Sequence, residues 1–333
     1  MPTVILFGPT ACNNETRLRS LLKNAWQIIA LPDDTRLEPL HRALPQADAL
    51  ISLMWQPEMA VAEIRLRLIQ ALGAGVDAYD TKALPDGCVL CNVYEHEAPI
   101  AEYVLGAMVA LTARFVFHDR QLRQGRWDGT GRRDGAPHAE LAGKTVGLIG
   151  YGGIGREVAK RAQAFDMKVH ALRAHPHSSS NGTAPDWVGG AAQLPELLRA
   201  SDFLVVCCSL NTETRGLLDR TQLARLKPSA YLINVARAEI IDEQALFEML
   251  KEHRVAGAAL DVWYRYPATI EQMLLPAEWP FHQLDNVLMT PHLSAWTDAM
   301  IERRWQKIAA NLDALAAGAE LHNVVAHGAE RRV

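Results

Sequence analysis

The sequence has no apolar run long enough to cross a bilayer: its longest, Tyr103 to Ala113, is closed by Glu102 and Arg114 and holds about half of the roughly 20 residues a spanning helix needs. It also lacks a basic block. Its 34 Lys and Arg and 38 Asp and Glu are interspersed, with a formal net charge of −4, which argues against a nucleic acid or an anionic membrane as partner. No basic or export-like segment precedes the apolar stretch Val4 to Phe7, so the expectation is a cytoplasmic protein. Cysteine is scarce, and five is an odd number for a disulfide framework; Cys207 and Cys208 are adjacent in an apolar stretch, which fits a reducing compartment. Cys88 and Cys91 form a CxxC without the second pair a zinc site needs, and positions three apart in a strand face opposite sides of a sheet. They read as two buried thiols, and no metal site is expected.

What is present is a chain of 333 residues, 49% hydrophobic, long enough for two cores. Short apolar runs at Val4 to Phe7, Ala49 to Met54, Leu68 to Leu72 and Val89 to Asn92 alternate with amphipathic stretches. A long helix is expected from Pro99 to about Gln124, and the Gly- and Arg-rich stretch Trp127 to His138 reads as a surface loop. A second series follows, with strands at Thr145 to Ile149, Lys168 to Leu172, Phe203 to Cys207, Tyr231 to Asn234, Gly257 to Val262 and Val287 to Thr290. Ala295 to Gly318 reads as a helix that returns to the first domain. The fold class is therefore α/β, with two Rossmann-like domains built on doubly wound parallel sheets, one over residues 1–98 and 294–333 and the other over 99–293.

The segment Gly147-Leu-Ile-Gly-Tyr-Gly-Gly-Ile-Gly155 places Gly150, Gly152 and Gly155 in GxGxxG spacing between a strand and a helix. Gly150 permits the tight turn, Gly152 lets the backbone approach a pyrophosphate, and Gly155 lets helix and strand pack closely. The amides and dipole at the helix start, where Gly153 and Ile154 lie, attract phosphate. About 20 residues beyond such a loop an acidic residue usually meets the ribose of NAD. Here the second strand ends in Arg173, with His175, Ser178 and Ser179 following. A guanidinium pairs with a 2′-phosphate, so NADP is expected ahead of NAD.

Four further segments, with the glycine loop, resemble the D-isomer-specific 2-hydroxyacid dehydrogenases over nearly the whole chain. Leu232-Ile-Asn-Val-Ala-Arg237 is similar to the strand carrying that family's substrate-binding arginine, with Ala238 where glycine is usual. Thr290-Pro-His292 matches its catalytic histidine, Leu260-Asp261-Val262 resembles the strand whose Asp meets the nicotinamide carboxamide, and Gly73-Ala74-Gly75-Val76-Asp77 resembles the loop whose amides hold the substrate carboxylate. The resemblance implies a 2-oxoacid reductase like the glyoxylate and hydroxypyruvate reductases, with its active site in the interdomain cleft and a homodimer formed through the long Pro99 helix. In it Arg237 and His292 are catalytic, and Ala74, Gly75, Arg237 and Tyr266 bind substrate. The cofactor is met by Gly150, Gly152, Gly153, Ile154, Gly155, Arg173, Cys207, Ser209, Thr214, Ala236, Asp261 and His292. The residue types suit the chemistry: a ketone gaining hydride needs a proton, which an imidazole can give near neutral pH, while an arginine fork clamps the carboxylate.

One position departs from the family. Where it carries a Glu bonded to the histidine, Asp261-Val-Trp-Tyr-Arg-Tyr266-Pro267 carries Tyr266. A phenol stays neutral near pH 7, so it can orient the ring but not stabilise its charged form as a carboxylate does. Glu95 or Glu97 could supply the missing carboxylate or could be solvated loop charges, and Trp55, Tyr266 and Trp296 could line the cleft or belong to the core. Two other readings stay open: hydride transfer without a proton relay, on a small anion such as formate or phosphite, and a nucleotide-sensing binding protein without turnover.

Overall fold

The computed structural model describes residues 1–127, 135, 137–174, 184–267 and 271–329. The chain divides into two compact units, one of residues 1–95 and 297–333 and one of residues 96–296. The first unit begins β1 (Thr3–Phe7), α1 (Pro9–Cys12), α2 (Glu15–Leu21), β2 (Gln27–Leu31), α3 (Leu37–Ala43), β3 (Ala49–Ser52), β4 (Leu68–Ala71), β5 (Val89–Cys91). The second runs α4 (Glu97–Thr112), α5 (Phe115–Arg123), β6 (Thr145–Ile149), α6 (Gly153–Ala164), β7 (Lys168–Leu172), β8 (Trp187–Gly189), α7 (Leu194–Ala200), β9 (Phe203–Val206), α8 (Arg220–Leu223), β10 (Tyr231–Asn234), α9 (Glu243–Lys251), β11 (Gly257–Leu260), β12 (Val287–Met289). The chain then rejoins the first unit through α10 (Asp298–Ala317) and β13 (Val324–His327).

The first sheet has the order β13-β5-β4-β3-β1-β2 and the second β12-β11-β10-β9-β6-β7-β8. All neighbours are parallel except β13, which pairs antiparallel with β5. In both sheets the order reverses beside the first strand of the unit, the arrangement of a doubly wound sheet that opens a crevice at that strand's carboxyl end. Helices on both faces bury the strands on both sides, which is why these strands read as continuous apolar runs. In β9, Phe203 and Val205 join one core cluster and Leu204 and Val206 the other. The same alternation sends Cys91 and Cys88 into separate clusters on opposite faces of the first sheet.

Three strands escape the sequence pattern. The edge strands β2 and β13 are only partly buried, and β8 has three residues, so none carries a sustained apolar signal. The helix expected over Pro99 to Gln124 is instead two helices, α4 and α5, bent by 57°. The break falls at Arg114, which takes a left-handed conformation (φ 51°, ψ 42°) that no continuous helix accommodates. No single helix among the described residues is long and apolar enough to cross a membrane.

The helix α10 starts at Thr297, whose hydroxyl accepts from the Met300 amide at 3.2 Å, and stops at Gly318 in the left-handed region. Its buried Asn311 donates to the Gln70 side chain at 2.8 Å and to the His322 carbonyl at 3.0 Å, and accepts from the His322 amide at 2.9 Å. This one side chain ties α10, β4 and the approach to β13. N311A leaves those buried partners unsatisfied and should lower the stability of the first unit by about 1–3 kcal/mol, measurable as an earlier urea midpoint.

Candidate active site

The glycine loop sits where β6 meets β9, at the point where strand order reverses in the second sheet. Gly150 has φ +105°, and a Cβ there would stand 2.8 Å from the Cys208 backbone. A Cβ on Gly155 would lie 2.4 Å from the Gly150 carbonyl oxygen, so the first turn of α6 can approach the loop only as glycine. Gly152 differs: nothing lies within 4 Å of where its Cβ would be. It caps α6, whose first turn contains Gly153 and Ile154. A backbone stripped of side chains, open on one side and backed by a helix start, is a cradle for a pyrophosphate.

Around this cradle the cofactor candidates play different parts. The buried thiol of Cys207 donates to the Gly150 carbonyl at 3.1 Å, and burial pushes its pKa up. Its side chain therefore braces the loop from inside. Ser209 and Thr214 lie together on the exposed segment after β9, the Thr214 hydroxyl donating to the Ser209 carbonyl at 2.7 Å. Arg173 follows β7, its amide bonded to Gly189 at 3.0 Å. Burial raises the Tyr151 phenol, and the charges of Arg156 and Arg173 oppose it; the Gly150 amide donates to the Leu172 carbonyl at 3.1 Å, so Arg173 directly follows the residue that meets the loop. His175, Ser178 and Ser179 lie outside the described residues.

At the next strand, Asn234 shapes the turn that carries Arg237. Its side chain accepts from the Ala236 amide at 3.0 Å and donates to the Arg237 carbonyl at 2.9 Å. The half-buried guanidinium of Arg237 donates to the Ala236 carbonyl at 2.9 Å. Ala238 is buried in that turn, so the methyl that replaces the usual glycine finds room.

The histidine loop is held by a carboxylate. Asp261 is fully buried and accepts from the Thr290 hydroxyl at 2.6 Å, the Leu293 amide at 2.8 Å and the Ser294 amide at 2.9 Å. Enclosed and engaged at both oxygens, it anchors this loop from within. Tyr103 of α4 bonds the Thr290 hydroxyl at 2.7 Å, and the Trp263 indole donates to the Thr290 carbonyl at 2.8 Å. Between these fixed points His292 takes φ +56°, rare for a residue with a side chain. Its Nδ1 lies 2.9 Å from the Tyr266 hydroxyl, whose oxygen also accepts the Trp263 amide at 3.1 Å. Tyr266 is half-exposed; burial of its hydroxyl raises the phenol, the charge of Arg237 opposes that, and Asp261 and Glu239 add to it. Arg237, Tyr266 and His292 thus form one electrostatic neighbourhood.

Other candidates fall elsewhere. The Glu95 carboxylate pairs with Arg303 at 3.2 Å, and Glu97 lies against Gly153, whose Cβ would be 2.7 Å from Glu97 Cγ. The partner of His292 at Nδ1 is Tyr266. Trp55 is wholly buried, its indole donating to Ala83 at 2.9 Å, and so belongs to the core of the first unit; Trp296 is exposed. In the loop after β4, Ala74 accepts from the Asn92 side chain at 2.9 Å and Gly75 is exposed. Sequence reasoning missed Thr290, Tyr103, Trp263 and Asn234; only Thr290, beside the Pro-His pair, carried a local signal.

The two glycines separate folding from binding. G152A should fold with an unchanged melting temperature yet bind a dinucleotide at least about tenfold more weakly, because its methyl enters only the cradle. G155A should be destabilised as well, since its methyl meets backbone; the pair is read by thermal melting and fluorescence titration.

Comparison with known proteins agrees with this geometry. Residues 105–294 match the family described as D-isomer specific 2-hydroxyacid dehydrogenase, NAD binding domain. A glyoxylate reductase of Thermofilum pendens is 33% identical over 290 residues, spanning 84% of this chain and 82% of the relative. Glyoxylate/hydroxypyruvate reductase B of Pectobacterium carotovorum subsp. carotovorum is 32% identical over 323 residues, spanning 95% and 94%. An acyclic imino acid reductase solved with NADPH and D-Arg superposes with a TM-score of 0.78 at 26% identity, covering 97% of this chain and 99% of that one. On the strength of both the matched domain and relatives aligned along most of its length, the chain belongs to the D-isomer specific 2-hydroxyacid dehydrogenases, nicotinamide-dependent oxidoreductases of small 2-oxoacids and 2-hydroxyacids.

Proposed function

We propose that the protein reduces a small 2-oxoacid to its 2-hydroxyacid with NADPH preferred to NADH, Arg237 binding the substrate and His292 acting as acid and, in reverse, as base. The observation that carries the reading is positional. Gly150, Cys207, Arg237, Asp261 and the Thr290 to His292 segment each follow the carboxyl end of a strand in the row β6, β9, β10, β11, β12. This is the edge at which doubly wound sheets bind ligands.

The chain's residues fit the cofactor: Gly152 leaves the cradle open, the amides of Gly153 and Ile154 start α6, and Arg173 directly follows the residue that meets the loop. When bound, the nicotinamide supplies the hydride. Arg237 can grip the substrate carboxylate through two parallel N–H bonds and polarise the neighbouring carbonyl. His292 gives a proton to the oxygen on which charge builds. The preference for NADPH rests on Arg173, and the imino acid reductase of similar fold, solved with NADPH, supports it. The reading extends to a homodimer through α5, on which no residue is buried and Phe115, Val116 and Leu122 are exposed. It also extends to a cytoplasmic setting, because all five cysteines are free thiols.

Purified protein mixed with NADPH or NADH and a panel of 2-oxoacids should consume the reduced cofactor, followed as loss of its absorbance. Absence of turnover with every 2-oxoacid would overturn the reading and favour a nucleotide sensor. H292N should lower kcat by about a hundredfold to ten-thousandfold. R237A should lower kcat/KM at least as much. R173A should cost about tenfold in kcat/KM with NADPH and little with NADH; equal loss with both would remove the case for NADP.

A further inference from the structure

We propose that Tyr266 is the positioning residue of His292: it holds the neutral ring in the tautomer that carries its proton on Nε2, and it returns a proton to Nδ1 when Nε2 gives its own away. The inference rests on the 2-oxoacid reductase reading and adds the route of the proton.

The hydrogen bonds around the phenol favour one tautomer. The Trp263 amide, 3.1 Å from the Tyr266 oxygen, can only donate, so it fills an acceptor site on that oxygen. The hydroxyl has one proton of its own, and His292 Nδ1 stands 2.9 Å away. A phenol's second lone pair is drawn into its ring and accepts weakly, so the hydroxyl proton is assigned to Nδ1. A neutral imidazole that accepts at Nδ1 holds its proton on Nε2. A carboxylate at position 266 would impose the opposite pattern: it can only accept, so it would demand a proton on Nδ1 and favour the doubly protonated, cationic ring.

Proton delivery then starts from a neutral ring. Hydride adds to the ketone carbon, and the carbonyl π pair becomes an oxygen lone pair that takes the proton of Nε2. The N–H bond at Nε2 breaks as the Tyr266 O–H proton moves to Nδ1, so the ring ends neutral and the phenol ends as phenolate. The bound nicotinamide is oxidised and the ketone reduced. A 2-hydroxyacid alkoxide is a stronger base than a phenolate, so the transfer runs downhill. Arg237 and the Trp263 amide steady the phenolate, while Asp261 and Glu239 oppose it. To reset, Nδ1 returns its proton to the phenolate oxygen and Nε2 of the exposed His292 takes one from water, which restores the starting tautomer. In the resting protein burial keeps the phenol protonated beyond its ordinary range, so the supply persists at a pH where an imidazolium would have been lost.

The tautomer is read without turnover. Ring-nitrogen shifts of isotope-labelled histidine, measured without cofactor and assigned with H292N, should show Nε2 protonated and Nδ1 accepting; Y266F should give a mixture of tautomers. A proton on Nδ1 in the wild type would overturn the proposal. In kinetics with saturating NADPH, kcat for reduction should be flat from about pH 7 to about pH 9 in the wild type. Y266F should lose about tenfold or more and gain a fall above the ordinary histidine pKa of about 6.5. Y266E should recover rate at low pH and fall about one to three units later than Y266F, as expected for a carboxylate beside an imidazolium. Identical profile shapes for wild type and Y266F would also overturn it. If no 2-oxoacid is turned over the reductase reading fails, while the ring-nitrogen shifts still decide the tautomer.

Discussion

A buried carboxylate governs the geometry of the site. Asp261 is cut off from water, and an unpaired charge there would cost several kcal/mol. Three short donors, the Thr290 hydroxyl and the Leu293 and Ser294 amides, offset that cost. They lie on both sides of His292, so satisfying the charge also fixes the histidine backbone. A left-handed φ on a non-glycine residue costs roughly 1–3 kcal/mol and persists only where its surroundings over-determine it. Here they do, because Tyr103 and Trp263 secure Thr290 from two further directions.

That constraint has value only because of where the parallel sheet delivers it. In a parallel sheet every carboxyl end points the same way, so five successive neighbours present their following loops at one edge. Each loop has its own local pin: Gly150 by the Cys207 thiol, Arg237 by the Asn234 side chain, His292 by Asp261. The pins are buried and the working groups are half-buried or exposed. Rigidity comes from packing, and chemistry stays accessible at the rim.

How much of this the sequence disclosed follows from the range of each interaction. The β6–Gly150–α6 unit was legible because its requirements are local: a Cβ at Gly150 or Gly155 would meet atoms of its own turn or the next strand. The two-sided burial of β9 and β10 was legible as continuous apolar runs. The bend at Arg114 was not, because Ala113 and Arg114 are ordinary helix formers and only the observed backbone conformation reveals the break. The edge strands β2, β8 and β13 were silent because half-exposed backbone needs no apolar periodicity. The buried hydrogen bonds of Asp261 and the core position of Trp55 lay beyond the motifs for a common reason. A motif gives a residue's position on a strand, whereas the direction of its side chain depends on partners distant in sequence, such as Thr290 for Asp261 and Ala83 for Trp55.

The exchange of a carboxylate for Tyr266 changes the charge of the site as well as its hydrogen bonds. A carboxylate against His292 would stabilise an imidazolium, and one pKa unit of that effect is about 1.4 kcal/mol. The same carboxylate would lie within the field of Arg237, whose influence already reaches the Tyr266 phenol, and would compete with the substrate's carboxylate for it. A neutral phenol removes both effects together. On the proposed reading Arg237 keeps its charge for an anionic substrate, and His292 has no carboxylate at Nδ1 to stabilise its protonated form. The site then depends less on a preformed cation for its acid and more on a neutral donor whose proton is replaced from behind. On that reading an anion-binding arginine and a neutral phenol–imidazole pair are mutually consistent, an alternative to the family's combination of arginine, carboxylate and imidazole.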